Sequence, residues 1–348
     1  MTDVLRSHGR LAGVEEVPPT LADFIDASGL RSIVIGTSKD PNAKVTVLLV
    51  SPQGGGPVLA IKAPTTEAAA AAVERERRVL LELATTLPEE LATTIPRAVC
   101  TVDFEGRSGL VTTAVTGTPM TRGYLRSDRE AVTRQHFAAL ARWLHALQTA
   151  TAGDMAPIDM DGGVADRIRS RFRDDPAVGS DLTRLAEIHA RLREHSVPRT
   201  IVHGDLWFGN LLLHGGRVTG VVDWEDADPR GEPVRDLVRF AIAYALYLDR
   251  GTRPGRRVRG FPGLLASRWG AGIDFGINGT GWFPELFRDV VRNGLSRLGA
   301  PADLWRDAVL AGVAEVAASA DDSGFAGAHL ALFRQLSTAQ PGSRVAAS

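Results

Sequence analysis

The segment from Thr200 to Ala227, TIVHGDLWFGNLLLHGGRVTGVVDWEDA, constrains the fold more than any other part of this sequence. Two apolar runs, NLLL and RVTGVV, flank Gly215-Gly216, a dipeptide suited to a two-residue hairpin turn. With that turn, His214 pairs with Arg217. The pattern therefore predicts a short two-stranded piece over residues 211–223, in a stretch of chain that is otherwise helical in character.

Polar side chains gather at the open end of this hairpin. In the predicted register, Asn210 falls opposite Val221, and Asp223 lies two positions further along as a diagonal neighbour of Asn210. The loop before Asn210 carries Asp205, which can fold back toward the same end. Carboxylate and amide oxygens suit Mg²⁺, and a second carboxylate can accept the proton of an attacking hydroxyl. Those are the parts that phosphoryl transfer from a nucleotide requires.

The octet HGDLWFGN, residues 203–210, has the H-x-D-x-x-x-x-N spacing of a kinase catalytic loop. In its HGD form it resembles the aminoglycoside phosphotransferase and choline kinase group of small-molecule kinases. VVDWEDA (221–227) and RDLVRF (235–240) resemble segments of the same group. The roles that the resemblance implies are Asp205 as catalytic base, His203 and Asp236 as supports of the catalytic loop, Asn210 and Asp223 as Mg²⁺ ligands, and Glu225 as a weaker candidate beside the metal.

The N-terminal part is rich in strands. SIVIG (32–36), KVTVLLV (44–50) and VLAIKA (58–63) are separated by short segments of turn-forming residues. Consecutive strands with tight connections predict an antiparallel meander. A helix over about 67–83 and a further strand, LVTTAV (110–115), follow.

Lys62 lies within the third of these strands. Lysine is rare in this chain, since only Lys39, Lys44 and Lys62 occur among the 40 basic residues. Ala60-Ile61-Lys62 resembles the A-x-K strand of the kinase fold, whose lysine meets phosphate and a helix glutamate. The following helix offers Glu74 and Glu76, and the spacing in the resembling family favours Glu76. The alternative is an edge-strand lysine with a solvated tip.

Two further segments are candidates for nucleotide contacts. IGTSKDPNAK lies where a Gly-rich phosphate loop is expected but holds a single glycine, so Ser38 is the candidate there and an ordinary hairpin loop is the alternative. LVTTAV would be the hinge strand, in which Thr113 and Val115 offer main-chain groups to the purine of ATP or GTP.

Beyond Gly117-Thr-Pro119 the sequence is mostly helical. Ser127-Asp-Arg-Glu130 has the form of a capping box and predicts a helix to about residue 149. Further helical patterns cover about 164–173, 181–195, 233–249, 283–298, 302–319 and 325–337. We therefore expect an α+β, two-lobed, protein-kinase-like fold. Its expected parts are an N-terminal arm (1–20), a nucleotide-binding N-lobe with hinge (21–115), a helical C-lobe with catalytic loop and acceptor site (116–340) and a flexible tail (341–348).

The acceptor is expected to be a small hydroxylated molecule. Only 12 residues separate Asp223 from Asp236, which leaves no long activation segment for a peptide, and Gly204 replaces the arginine that senses activation-loop phosphate in protein kinases. Between Asp249 and Trp282 the chain is rich in glycine and begins with RGTRPGRRVRG, which holds five arginines. This is either a solvated basic loop or a functional one. A basic rim suits an anionic or neutral acceptor better than a polycation.

Composition limits the partners. Net charge is −1, with 44% hydrophobic and 23% charged residues, so no global field attracts nucleic acid or a membrane surface. The single Cys100 excludes an intramolecular disulfide, and the first residues lack the apolar core of a secretory signal. We expect a cytoplasmic enzyme that uses Mg²⁺.

The expected function is transfer of the γ-phosphate of ATP or GTP to a hydroxyl of an antibiotic or related secondary metabolite. The alternatives are a metabolic kinase for choline-, amino-alcohol- or sugar-type acceptors and a non-catalytic nucleotide-binding regulatory module. A metal-dependent hydrolase that uses His203, Asp205 and Asp223 is a further alternative, but it leaves Lys62 unexplained.

Overall fold

The computed structural model describes residues 19–37, 42–124 and 129–338. The helices are α1 (Leu21–Ser28), α2 (Glu67–Thr86), α3 (Glu89–Ala92), α4 (Met120–Tyr124), α5 (Arg129–Ala150), α6 (Val164–Arg171), α7 (Val178–Arg193), α8 (Val234–Leu246), α9 (Ala271–Asn278), α10 (Trp282–Arg297), α11 (Trp305–Ser319) and α12 (Ser323–Thr338). Short 3₁₀ turns cover Phe208–Asn210 and Ala302–Leu304.

The strands are β1 (Arg31–Thr37), β2 (Lys44–Val50), β3 (Pro57–Pro64), β4 (Ala98–Phe104), β5 (Arg107–Thr113), β6 (Thr118–Pro119), β7 (Met155–Pro157), β8 (Ser196–Pro198), β9 (Thr200–Val202), β10 (Leu211–His214), β11 (Arg217–Val221), β12 (Asp228–Gly231), β13 (Arg256–Arg257) and β14 (Leu265–Ala266). The β-rich N-terminal part and the helical C-terminal part agree with the predicted α+β class. Within the described ranges, no helix is both long enough and apolar enough to cross a membrane.

Internal contacts divide the described chain into two compact units. The first unit holds the residues up to Met120 together with His203–Asp205 and Gly209–Pro229. The second holds Thr121–Val202, Leu206–Phe208 and the chain from Arg230 onward. The four-part division drawn from the sequence stays a prediction, and most of its arm and all of its tail lie outside the described residues.

The first unit is built on a five-stranded antiparallel sheet with the order β1-β2-β3-β5-β4. The predicted meander accounts for the first three strands. Along β3, Leu59 and Ile61 are buried in the core, and because successive side chains point to opposite faces, Lys62 points away from it. The buried members of this core are Phe24, Val47, Leu49, Leu59, Ile61, Val102 and Val111.

The sequence did not reveal β4, which lies at one of the two edges of this sheet. Its residues are half-buried apart from the fully buried Val102, so its hydrophobic pattern does not alternate clearly. Edge strands contact a neighbour on one side only, which weakens the pattern that identifies buried strands. β5 also differs from the prediction, because it ends at Thr113 and leaves Val115 outside the strand.

The β10–β11 hairpin turns at Gly215-Gly216 and pairs His214 with Arg217, as predicted, but its register shifts by one residue beyond the Leu213–Val218 pair. The observed pairs are His214–Arg217, Leu213–Val218, Leu212–Gly220 and Leu211–Val221. Thr219 is therefore an extra residue in a β-bulge, and its hydroxyl donates to the main-chain oxygen of Thr116 at 2.7 Å. The prediction that Asn210 lies opposite Val221 is wrong by one residue. Instead, the main-chain N–H of Val222 donates to the oxygen of Asn210 at 3.0 Å.

The second unit is predominantly helical, and the Gly/Arg-rich segment 250–281 is more ordered than its composition indicates. It contains the β13–β14 pair and helix α9. Two glycines permit α9 to pack closely. A Cβ at Gly272 would lie 2.0 Å from the main-chain oxygen of Ala245, and one at Gly276 would lie 3.0 Å from the ring of Phe287. Glycine lowers helix propensity, and this is why the sequence pattern did not indicate α9.

Candidate active site

Lys62 is the centre of a charged cluster in the first unit. Its Nζ lies 2.6 Å from Oε2 of Glu76, on α2, and 2.6 Å from Oδ1 of Asp223. The Glu76 side chain is 2% exposed and that of Lys62 is 18% exposed. Burial alone would lower the pKa of Lys62, but the carboxylates of Glu76 and Asp223 raise it well above its usual value. Lys62 is therefore a cation held between two carboxylates.

Of the two glutamates considered from the sequence, the structure places Glu76 beside Lys62. Glu74 instead forms an ion pair with Arg77, at 2.8 Å, on the exposed side of the helix. The second oxygen of Glu76, Oε1, accepts a hydrogen bond from the main-chain N–H of Trp224 at 3.3 Å. Glu76 thus connects helix α2 both to Lys62 and to the residue after Asp223.

Asp223 follows the hairpin in an uncommon backbone conformation. Its φ is 74°, in the left-handed region that side-chain-bearing residues seldom occupy, with Asp and Asn the most tolerant. Burial raises its pKa, but the charge of Lys62 outweighs burial, so the pKa lies below its usual value. Strain of this kind costs about 1–3 kcal/mol and clusters at functional sites. Asp223 is therefore held as an ionised carboxylate at a specific angle to the strand.

His203 fixes the loop that carries Asp205. It is fully buried, and its ring lies 4.7 Å from that of Trp224, centroid to centroid. Nδ1 accepts from the main-chain N–H of Asp205 at 3.3 Å, so Nε2 carries the proton and donates to the oxygen of Val222 at 2.9 Å. These two hydrogen bonds join the loop to the segment that precedes Asp223.

Asn210 closes the same loop from its other end. Its Nδ2 donates to the main-chain oxygen of Asp205 at 3.0 Å, and the side chain is buried. In this orientation Oδ1 is the acceptor atom of the amide, and an oxygen of this kind is what a hard cation binds.

Gly204 is required by the path of the loop. Its φ is +84°, and a Cβ at this position would lie 2.1 Å from the main-chain oxygen of Asp226. The backbone at Gly204 therefore passes closer to the segment after Asp223 than any residue with a side chain permits. In the same segment, burial and the charge of Asp205 raise the pKa of the Asp226 carboxyl.

Lys44 is a site residue that sequence reasoning missed. It lies at the start of β2, on the same face of the sheet as Thr46, which pairs with Lys62. Its Nζ forms an ion pair with Oε2 of Glu225, and both side chains are largely buried. The rarity of lysine in this chain was the available signal. Lys44 adds a second cation to the cluster.

A group of carboxylates in this cluster has the chemistry of a metal site. Within the described residues, Glu76, Asp223 and Glu225 each offer one oxygen, and these atoms lie within 4.8 Å of one another. Burial and the nearby charge of Asp223 raise the pKa of Glu225. Hard oxygen donors of this kind suit Mg²⁺.

The remaining predicted site residues are placed as follows. The main-chain N–H of Thr113 donates to the oxygen of Arg97 at 2.9 Å, so this group is already engaged. Val115 is half-buried and makes no hydrogen bond with another described residue. Asp236 is buried in the first turn of α8, in the second unit. Ser38 lies outside the described residues.

Comparison with solved structures identifies the fold. An aminoglycoside phosphotransferase, a thermostable mutant of APH(4)-Ia in a ternary complex with AMP-PNP and hygromycin B, is 14% identical, with a TM-score of 0.54 over 89% of this chain and 93% of that chain. Macrolide 2′-phosphotransferase MphH from Brachybacterium faecium is 15% identical, with a TM-score of 0.50 over 92% and 94%. Aminoglycoside phosphotransferase APH(3″)-Id from Streptomyces rimosus is 17% identical, with a TM-score of 0.50 over 84% and 97%. These similarities confirm the predicted kinase-like fold.

Comparison of sequences gives the family. No curated protein sequence matches the chain significantly. The sequence profile described as "APH: Phosphotransferase enzyme family" matches residues 43–266, well over half of the chain. The matched region includes Lys62, the octet and Asp223, and it supports a small-molecule phosphotransferase. The chain belongs to the APH phosphotransferase enzyme family.

Proposed function

We propose that this protein transfers the γ-phosphate of ATP or GTP to a hydroxyl group of a small molecule, an antibiotic or a related secondary metabolite. The observation that carries the proposal is the linkage of Lys62 to both Glu76 and Asp223, at 2.6 Å each. A largely buried lysine between two carboxylates carries a desolvation penalty, so a gain in stability is a weak explanation for such a cluster. The same unit contains the loop of Asp205 and Asn210.

The nucleotide is assigned to the cluster around Lys62. Its ammonium group would meet phosphate oxygens, while Glu76 keeps the lysine in place. Asn210 and Asp223 would hold Mg²⁺, which would neutralise charge on the phosphates. The main-chain groups of Val115, which have no partner among the described residues, are available to a purine. The related APH(4)-Ia was solved with AMP-PNP, which supports ATP as the co-substrate.

Asp205 is assigned as the base. Its backbone is held by His203 on one side and by the amide of Asn210 on the other, which orients the carboxylate. As the acceptor oxygen bonds to the γ-phosphorus, the bond from that phosphorus to the β–γ bridging oxygen breaks. The hydroxyl proton passes to Asp205, and the nucleoside diphosphate leaves.

The proposed acceptor class draws on the related structures. Two of the three are named as aminoglycoside phosphotransferases and one as a macrolide 2′-phosphotransferase. The test is a coupled ADP- and GDP-release screen over hydroxylated antibiotics, secondary metabolites, amino alcohols and sugars. Release that depends on an antibiotic or secondary metabolite supports the proposal. Release that depends only on an amino alcohol or a sugar would assign a metabolic kinase instead, and no release with any acceptor would contradict phosphotransfer.

The role of Asp205 has a direct test. Asp205→Asn should retain nucleotide binding and lower turnover by roughly 10²–10⁴-fold, because the hydroxyl loses its proton acceptor. The matched control is Asp228→Asn, which removes an exposed carboxylate of the same unit and should retain full turnover. Full activity in Asp205→Asn would overturn the assignment.

A further inference from the structure

We infer that a cavity within the second unit binds the acceptor and selects a hydroxylated molecule that combines a planar ring with a negative charge. The inference rests on the proposed function, since it names the substrate class of the same reaction. The related APH(4)-Ia structure was solved with hygromycin B.

The cavity has a volume of about 540 Å³, within the range of small-molecule sites. Its lining includes Leu246, Tyr247, Arg250, Ala266, Trp269 and Phe325. The Trp269 side chain is 40% exposed and meets the ring of Phe325 edge-on, with centroids 5.8 Å apart. Exposed aromatic faces in a concave site favour a flat apolar or aromatic ligand body.

The cavity is connected to the catalytic octet through aromatic contacts. The ring of Tyr247 lies 6.1 Å from that of Trp207 and 5.7 Å from that of Phe208, centroid to centroid. Trp207 is the second residue after Asp205, and chain connectivity keeps their Cα atoms within about 7 Å of each other. Trp207 and Phe208 therefore pack against a residue that lines the cavity.

Two arginine side chains line the cavity, and one of them lacks an acidic partner within the described ranges. Arg250 and Arg268 both line it. Arg268 forms an ion pair with Asp274, whereas Arg250 lies 5.1 Å above the Tyr247 ring and has no acidic partner in the described part of the chain. The adjoining loop adds exposed arginines that also lack acidic partners among the described residues, namely Arg253, Arg256, Arg257 and Arg259. Unpaired guanidinium groups attract carboxylate, phosphate and sulfate and repel ammonium groups.

Negatively charged side chains are scarce in the lining of the cavity. Asp249 is the one carboxylate among the described residues that line it, and burial raises its pKa. A site for a polycation needs several ionised carboxylates, and one half-buried Asp beside the unpaired Arg250 does not provide them. The negative group of the acceptor is therefore placed toward Arg250, with its ring between Tyr247 and Trp269.

A charge-matched series of fluorescent hydroxycoumarins tests this inference without nucleotide. The probes are 7-hydroxycoumarin-3-carboxylate, 7-hydroxycoumarin and 7-hydroxy-4-(aminomethyl)coumarin, and binding is followed by fluorescence anisotropy at low and high salt. We expect the Kd of the carboxylate to be about ten-fold below that of the aminomethyl probe, with the difference shrinking as salt screens the arginines. Equal or tighter binding of the aminomethyl probe, or no binding by any probe, would overturn the inference.

Two variants test whether the charge-selective binding depends on residues that line the cavity. Arg250→Gln should weaken carboxylate binding several-fold and leave the uncharged probe unchanged, and Trp269→Ala should weaken both. Arg173→Gln is the matched control, because Arg173 is 80% exposed in the same unit and does not line the cavity. Carboxylate affinity that is unchanged in Arg250→Gln, or that falls equally in Arg173→Gln, would contradict the assignment.

The binding assay also separates this inference from the kinase assignment. Charge-selective binding that depends on Arg250, combined with no nucleotide-dependent phosphorylation of any acceptor, would contradict phosphotransfer while confirming the anion-selective cavity. Phosphorylation of an aminoglycoside in preference to anionic or neutral acceptors would confirm phosphotransfer and overturn the inference about charge.

Discussion

Removing the charge of Lys62 should destabilise the protein as well as inactivate it. In Lys62→Met, the carboxylate of Glu76 stays 2% exposed while the cation 2.6 Å away is lost, and the carboxylate of Asp223 remains nearby. A buried carboxylate without a counter-ion carries most of its desolvation penalty uncompensated. The variant therefore tests whether the cluster is as buried and as tightly paired as the structure shows.

The loss of stability expected in Lys62→Met follows from the exposure of its two partners, Glu76 and Asp223. Loss of one member of a buried ion pair costs about 3–5 kcal/mol. Because Asp223 is 37% exposed and partly screened by water, we expect the lower end of that range, about 3 kcal/mol. At about 2–4 °C per kcal/mol for domains of this order of size, the melting temperature should fall by roughly 6–12 °C. Circular dichroism melts measure the loss of stability, and coupled diphosphate release measures the loss of activity.

A double variant distinguishes charge burial from lost packing. Lys62→Met combined with Glu76→Gln removes the uncompensated carboxylate, so it should recover most of the lost stability while activity stays absent. Arg77→Met is the control, because its partner Glu74 is 43% exposed and that pair should contribute less than about 1 kcal/mol. The reasoning is refuted if Lys62→Met melts like the parent, or if the double variant is no more stable than Lys62→Met.

Three further predictions concern backbone conformation, metal and pH. Asp223→Asn should remove Mg²⁺-dependent turnover. Its melting temperature should stay within about 2 °C of the parent, because Asn tolerates φ 74° and remains polar. An unchanged Mg²⁺ response would contradict the role of Asp223 as a metal ligand. Gly204→Ala should lower the free energy of unfolding by at least about 2 kcal/mol in denaturant titrations, because its Cβ would lie 2.1 Å from the Asp226 oxygen. Burial lowers the pKa of His329 to about 4, so the unfolded chain protonates first as the pH falls. Its contribution to stability should therefore decrease by about 2 kcal/mol between pH 8 and pH 5, and the corresponding part of the acid dependence should be absent in His329→Gln.

Much of the geometry of the candidate site was predictable because its residues lie close together in sequence. The octet, the Gly-Gly turn and Asp223 occupy one short segment, and local turn chemistry brings their backbones to one end of the hairpin. Lys62 was recognisable because lysine is rare in this chain and unusual within a strand. The choice of Glu76 over Glu74 depended on the spacing in the resembling family, and the structure places Glu76 beside Lys62.

Features that depend on tertiary contacts were not predictable. The bulge at Thr219 is stabilised by a hydrogen bond to Thr116, more than 100 residues away, and nothing in the hairpin sequence indicates it. The ion pair of Lys44 with Glu225 joins residues 181 positions apart. Helix α9 was missed because Gly272 and Gly276, which lower helix propensity, are present for close packing against other helices.

The close approach at Gly204 also limits how this enzyme can be regulated. Protein kinases place an arginine at the corresponding position of the resembling loop and use it to sense a phosphate on the activation segment. Here a single substitution cannot introduce that arginine, because any side chain would collide with the Asp226 main chain and the left-handed backbone disfavours it. Evolution would have to rebuild the turn after Asp223 before such a switch could arise.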